Sequence, residues 1–167
     1  EDGTYLQDEA SIVGPQNVGK IREIFLLKEY LDPSQVNALV EMGDRVNFLR
    51  SKEIIPKLNP EVRRKLLTAD IIIYGPGTQY SSLFPSYLTK GIAEAIQLNL
   101  NAKKIFVSNI RRDYDIISES ATSIFKNFLY YLGRKDTIKV SPKKLVNLCF
   151  FQNPSGNKDN SAYLPFN

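Results

Sequence analysis

The chain has 167 residues, 43% of them hydrophobic and 24% charged, with a formal net charge of +4, which is ordinary globular material long enough to bury one core. It holds no histidine and a single cysteine. That excludes Ser-His-Asp and Cys-His catalysis, histidine-ligated zinc or iron, and an internal disulfide.

No apolar run approaches the roughly 18 residues of a membrane helix, and the acidic, polar start is no signal peptide. No membrane partner is therefore expected, and a reducing, cytoplasmic setting fits. Cys149 lies in the apolar run Leu148-Cys149-Phe150-Phe151, which predicts a buried, inert thiol. The basic residues fall in scattered pairs (Arg63-Arg64, Lys103-Lys104, Arg111-Arg112, Lys143-Lys144), read as solvated surface. With no zinc-finger spacing, RNA-binding signature or basic heptads, nucleic-acid binding rests on charge alone and is not expected.

In chain order, Thr4–Leu6 and Ala10–Val13 read as two short strands around a polar turn. Gly14–Gly19 is loop chemistry, either a plain connection or a ligand contact, and Lys20–Lys28 reads as a strand. Asp32-Pro33 predicts a helix start, with Val36, Leu39, Val40 and Gly43 following at helical spacing. The pattern over 44–58 is weak. Asn59-Pro60-Glu61 repeats the cap signal for a helix reaching about Thr68.

The most informative stretch runs from Asp70 to Pro85. Ile71-Ile72-Ile73-Tyr74, closed by Gly75-Pro76-Gly77, predicts a fully buried strand ending in a tight loop. The glycines leave room for close approach of a ligand, and the hydroxyls of Thr78, Ser81 and Ser82 stand beside exposed amides. Such a loop suits an anion, above all phosphate. Ile92, Ala95 and Ile96 mark a helix over 91–98, and Lys103–Val107 the next strand, which gives a parallel, right-handed strand–helix–strand unit. Asn109 follows that strand, as a ligand contact or as a turn residue. Asp113 and Asp115 flank a tyrosine beyond the strand end, where open α/β sheets place ligands. They read as metal ligands or substrate contacts, or as an exposed charged loop. Ser120–Leu132 predicts a helix ended by Gly133, then 136–140 and 144–152 predict strands, and 153–160 a polar loop. The fold class expected is α/β, a mostly parallel Rossmann-like sheet with flanking helices and a small β-hairpin feature at the start.

The segment from Ala69 through Gly75-Pro76-Gly77-Thr78 to Pro85, then Gly91-Ile92 to Ile96 and Ile105 to Asn109, resembles the CofD-like family, as do Asp2-Gly3-Thr4 and Lys20–Leu26 upstream. That family includes 2-phospho-L-lactate transferases and a bacterial branch that binds UDP-sugars, and the Gly-Pro-Gly-Thr spelling is nearer the bacterial branch. The resemblance implies one domain over 1–167, or the C-terminal part of a CofD-like domain whose glycine-rich first segment is absent. It further implies a nucleoside diphosphate or UDP-sugar type ligand at Gly75, Gly77, Thr78, Ser81, Ser82 and Asn109. Mg²⁺ is the implied ion, and Asp113 and Asp115 are its candidate ligands. Transferase activity, nucleotide-sugar sensing without turnover and a purely structural domain all stay open, as does a homo-oligomer.

Overall fold

A computed structural model describes residues 4–14, 19–152 and 163–166. Helix α1 spans Glu9–Val13, and Asp8 caps it by accepting from the Ser11 amide at 2.8 Å. The two strands expected here are absent: the Asp8/Ser11 capping pair outcompetes the weak β pattern of 10–13, and Thr4–Leu6 has no regular structure. Residues 15–18 of the predicted Gly14–Gly19 loop lie outside the described residues. The segment 20–28 is extended but makes only an isolated bridge from Leu27 to Glu53 instead of a strand.

Helix α2 (Pro33–Asn37) starts at the predicted Asp32-Pro33 cap but stops early, so Val36 is buried while Val40 stands 86% exposed. Helix α3 (Met42–Lys52) occupies the stretch whose pattern was too weak to predict one, and only Leu49 of it is buried. Helix α4 (Pro60–Thr68) has the predicted boundaries, with Asn59 accepting from the Glu61 amide at 2.8 Å.

Strand β1 (Ile71–Tyr74) leads through a π-helical turn (Gln79–Leu83) directly into α5 (Phe84–Tyr87). Helix α6 (Ile92–Leu98) and strand β2 (Lys103–Val107) follow as expected. Gly91, which caps α6, has φ 103°, a backbone conformation that favours glycine. After a 3-10 turn at Tyr114–Ile116 come α7 (Ala121–Leu132), α8 (Pro142–Leu145) and β3 (Leu148–Phe150).

No strand forms over 136–140: that stretch follows and partly overlaps a turn in which Arg134, Lys135 and Asp136 take left-handed φ of 47°, 55° and 63°. Each such non-glycine residue costs about 1–2 kcal/mol. The turn is held where Lys135 Nζ lies 2.6 Å from Glu53, 3.4 Å from Glu23 and 4.1 Å from the Phe25 ring centroid. Only the end of the 144–152 segment forms the predicted strand, as β3.

The sheet is three-stranded and parallel in the order β1-β2-β3, with Ile73 opposite Ile105 and Phe106 opposite Cys149. Helix α4 packs on α6, α5 on α7, and α6 on α8. On one face Ile72, Tyr74 and Phe106 enter an aromatic core with Phe84, Phe128 and Tyr131, where Tyr74 meets Phe128 at 4.6 Å and Phe84 stacks on Tyr131 at 4.8 Å. The other face is open: Ile71 and Ile73 are 59% and 62% exposed, so β1 is buried on one side and not on both. Cys149 is partly buried, and its burial pushes the thiol pKa up, consistent with the inert reading.

Candidate functional site

The loop after β1 stands at the C-terminal edge of the sheet, where its main chain is shaped from beneath. Gly77 takes φ 158°, a conformation that disfavours side chains. Asn109, at the end of β2, donates from Nδ2 to the Gly77 carbonyl at 2.9 Å and accepts at Oδ1 from Gln79 Nε2 at 2.6 Å. Both Asn109 and Gln79 are buried, so the Asn109 amide works as a strut that joins two neighbouring strand ends. This is how the sequence's separate loop and Asn109 signals come together.

Tyr80 is the anchor of the π-helical turn. Its amide donates to Asp115 Oδ2 at 2.9 Å, and its hydroxyl donates to Glu119 Oε1 at 2.7 Å and accepts from Asn127 Nδ2 at 2.8 Å. Ser123 donates to the other Glu119 oxygen, and Lys20 Nζ lies 3.8 Å from Oε1. Burial, chiefly, with the Glu119 charge beside it, drives the Tyr80 phenol pKa far up, so it stays a neutral donor. Burial likewise raises the Asp115 pKa, partly opposed by the Tyr80 N–H, and Asp115 Oδ1 has no hydrogen-bond partner among the described residues.

Above this layer lies the outward side of the loop. Gly77 and Ser82 are exposed, and Gly75, Thr78 and Ser81 are half-buried. A Cβ on Gly75 would meet no heavy atom within 4 Å, so open space stands over it. Thr78 Oγ1 donates to Ser82 Oγ at 2.9 Å, Ser82 and Ser81 hydroxyls lie 3.3 Å apart, and Ser81 reaches Glu9 Oε1 at 3.5 Å. Neutral donors in this arrangement fit a phosphate oxygen, with the Glu9 carboxylate an opposing charge at the Ser81 hydroxyl.

The two candidate metal ligands are not brought together in one cage. Asp113 is exposed and accepts from the Tyr114 amide at 2.8 Å, capping the 3-10 turn. Asp115 is 3% exposed beneath the loop, and among the described residues no three His, Cys, Asp or Glu side chains gather as a metal site. The described residues therefore form no all-protein cage for a hard cation; Mg²⁺ is usually held by one or two carboxylates together with ligand phosphates. The partners missed by sequence reasoning are Tyr80, Glu119, Ser123 and Asn127. Glu119 and Asn127 lie 39 and 47 residues from Tyr80, so no local spacing signals them.

A cavity of about 850 Å³ lies elsewhere, between residues 4–7, the 19–31 segment, α2 and α3, and none of the loop residues lines it. The loop is favoured as the site because its polar groups converge, whereas that cavity is mainly apolar.

The profile of the family described as 2-phospho-L-lactate transferase CofD matches residues 1–151. The chain belongs to the CofD family. A gluconeogenesis factor of Bacillus subtilis is 28% identical over 110 residues, covering 66% of this chain and 26% of that protein. The gluconeogenesis factor of Halalkalibacterium halodurans is 31% identical over 110 residues, with 66% and 26% covered. A putative gluconeogenesis factor of Thermotoga maritima is 39% identical over 72 residues, with 43% and 22% covered. The chain thus spans about a quarter of the length of these relatives. A crystal structure of a UPF0052 family member from Bacillus halodurans is similar at 23% identity and TM-score 0.43, over 56% of this chain and 39% of that one. No helix among the described residues is long and apolar enough to cross a membrane.

Proposed function

We propose that this chain supplies a phosphate-binding part of a CofD-type protein that takes a nucleotide-linked phosphate ligand, a UDP-sugar or nucleoside diphosphate, on the Gly75–Ser82 loop. The observation that carries this reading is the division of that loop. Its inner side is consumed by Asn109, Asp115 and Glu119, while the Thr78, Ser81 and Ser82 hydroxyls and the space over Gly75 are turned outward. A loop held from below and open above is preorganised, so binding need not order it. The relatives are named as factors and not as enzymes, which suits a reading in which the ligand is bound and not consumed.

A second reading, supported by the family profile, is transfer of a 2-phospho-L-lactyl-type group from such a nucleotide. There the loop would position the donor phosphates and stabilise charge developing on them. The test is thermal unfolding with UDP-glucose, UDP and GDP, with the same mixtures then separated by chromatography. A ligand at about 100 times its dissociation constant should stabilise the fold by roughly 2.7 kcal/mol. A shift with the nucleotide intact supports regulated binding, and a released nucleotide or diphosphate supports transfer. No shift with any of the three would refute the phosphate site.

A further inference from the structure

The cavity of about 850 Å³ between residues 4–7, the 19–31 segment, α2 and α3 lies apart from the glycine loop, and its walls suit an apolar occupant. Leu6, Ile21, Ile24 and Leu27 line it from the two extended segments. Met42 and Val46 line it from α3, at a spacing that a helix places on one face. All six side chains are only half-buried. Aliphatic side chains of a folded interior are close-packed, so here the shared space stands where their missing neighbours would be. Left without atoms, such a space forfeits the dispersion contacts of every wall. Its volume lies in the range of roughly 300–1,000 Å³ typical of small-molecule sites.

The polar groups of the lining decide what kind of apolar molecule fits. Gln7 Nε2 donates to the Leu31 carbonyl at 3.1 Å and Arg45 Nε to the Leu39 carbonyl at 2.6 Å, so both are engaged within the protein. A body rich in ring nitrogens or hydroxyls would be desolvated against aliphatic walls, which favours a plain hydrocarbon. The charged lining residues are Lys20, Arg22, Lys28 and Arg45 against Glu23 and Glu29. Of the two carboxylates, Glu23 is taken up by Arg50 at 3.2 Å and Lys135 at 3.4 Å. Arg22 is exposed, and its Nη1 donates to Met42 Sδ at 3.4 Å, which sets the guanidinium against an apolar wall residue where the cavity meets solvent. We propose that this cavity binds an aliphatic carboxylate, with the alkyl chain between the α3 face and the 19–31 segment and the carboxylate at the Arg22 guanidinium. A guanidinium fork matches a carboxylate with two parallel hydrogen bonds. The site shares no lining residue with the Gly75–Ser82 loop and does not depend on the phosphate reading of it.

The test is calorimetric titration of the protein with octanoate, decanoate and dodecanoate, each below its micelle-forming concentration, with decan-1-ol and decyltrimethylammonium as head-group controls. Expected are one carboxylate bound per protein chain and an affinity that rises about fourfold with each added methylene. Decanoate should bind about three- to tenfold more tightly than either control, a preference that weakens as salt rises and is lost in Arg22→Gln. Val46→Phe, which extends a ring into the space, should weaken every carboxylate about tenfold or more, and Gly75→Ala should bind decanoate like wild type. Absence of dodecanoate binding, an affinity that does not climb with chain length, or several carboxylates bound per chain would overturn the proposal. So would decan-1-ol binding as tightly as decanoate in wild type, or a folded Val46→Phe protein that binds the series unchanged.

Discussion

The two sides of the Gly75–Tyr87 segment differ in nearly everything but sequence position. The inner side is buried and fully committed: Gln79 to Asn109, the Tyr80 amide to Asp115, and the Tyr80 hydroxyl to Glu119 and Asn127. The outer side carries small hydroxyls bonded mainly to one another and open space over Gly75. The difference teaches that stability and ligand recognition are carried by separate groups a few ångströms apart, so substitutions should divide cleanly between them.

The strongest way to break that division is at Tyr80. Tyr80→Ala removes a side chain that is 2% exposed, its edge contact with Phe84 at 5.0 Å, and both hydroxyl bonds. A loss of about 3–5 kcal/mol is expected in chemical denaturation. Tyr80→Phe keeps the ring and should cost about 1–3 kcal/mol through the donor lost to buried Glu119. The same variant, while folded, should bind nucleotide with wild-type affinity. A Tyr80→Phe protein of wild-type stability would show that the inner layer is not a support.

Asp115→Asn is the subtler probe, because an amide oxygen can still accept from the Tyr80 N–H. The folded pKa of Asp115 is raised above the usual aspartate value of 3.8, first by burial. Its favourable contribution is therefore complete below that value and is lost as pH rises through the raised folded pKa. The variant should unfold at a higher temperature than wild type at neutral pH, with the gap closing as the pH falls toward 3.8. A gap that widens on acidification would mean that Asp115 is stabilised as the carboxylate.

Much of the fold was legible because caps and breakers are local. Asn59-Pro60, Ser120 and Gly133 mark the ends of α4 and α7, and the Ile71–Tyr74 run marks β1. Elements settled by distant partners were not. The pattern of 136–140 suits a strand, but ion pairs from Lys135 to Glu53 and Glu23 hold the preceding residues in a left-handed turn. Helix α3 escaped notice because only Leu49 of its eleven residues is buried, so it carries no apolar stripe to read. Of the site, the outward residues Gly75, Gly77, Thr78, Ser81 and Ser82 were legible as loop chemistry, and Asn109 as a strand-end polar group. The layer that supports them, Tyr80 with Glu119 and Asn127, forms only when α7 packs beneath the loop, and a linear sequence gives no measure of that approach.

The most direct test of the outward side is Gly75→Ala, since the added methyl meets no protein atom within 4 Å and can obstruct only what comes from outside. UDP affinity and unfolding temperature would be measured on the same preparation. A phosphate seated on this loop requires a stability, judged from the unfolding temperature, within about 0.5 kcal/mol of wild type together with affinity weakened about tenfold or more, the cost of one lost hydrogen bond to a charged group. Unchanged affinity with unchanged stability would contradict the assignment of the phosphate to this loop.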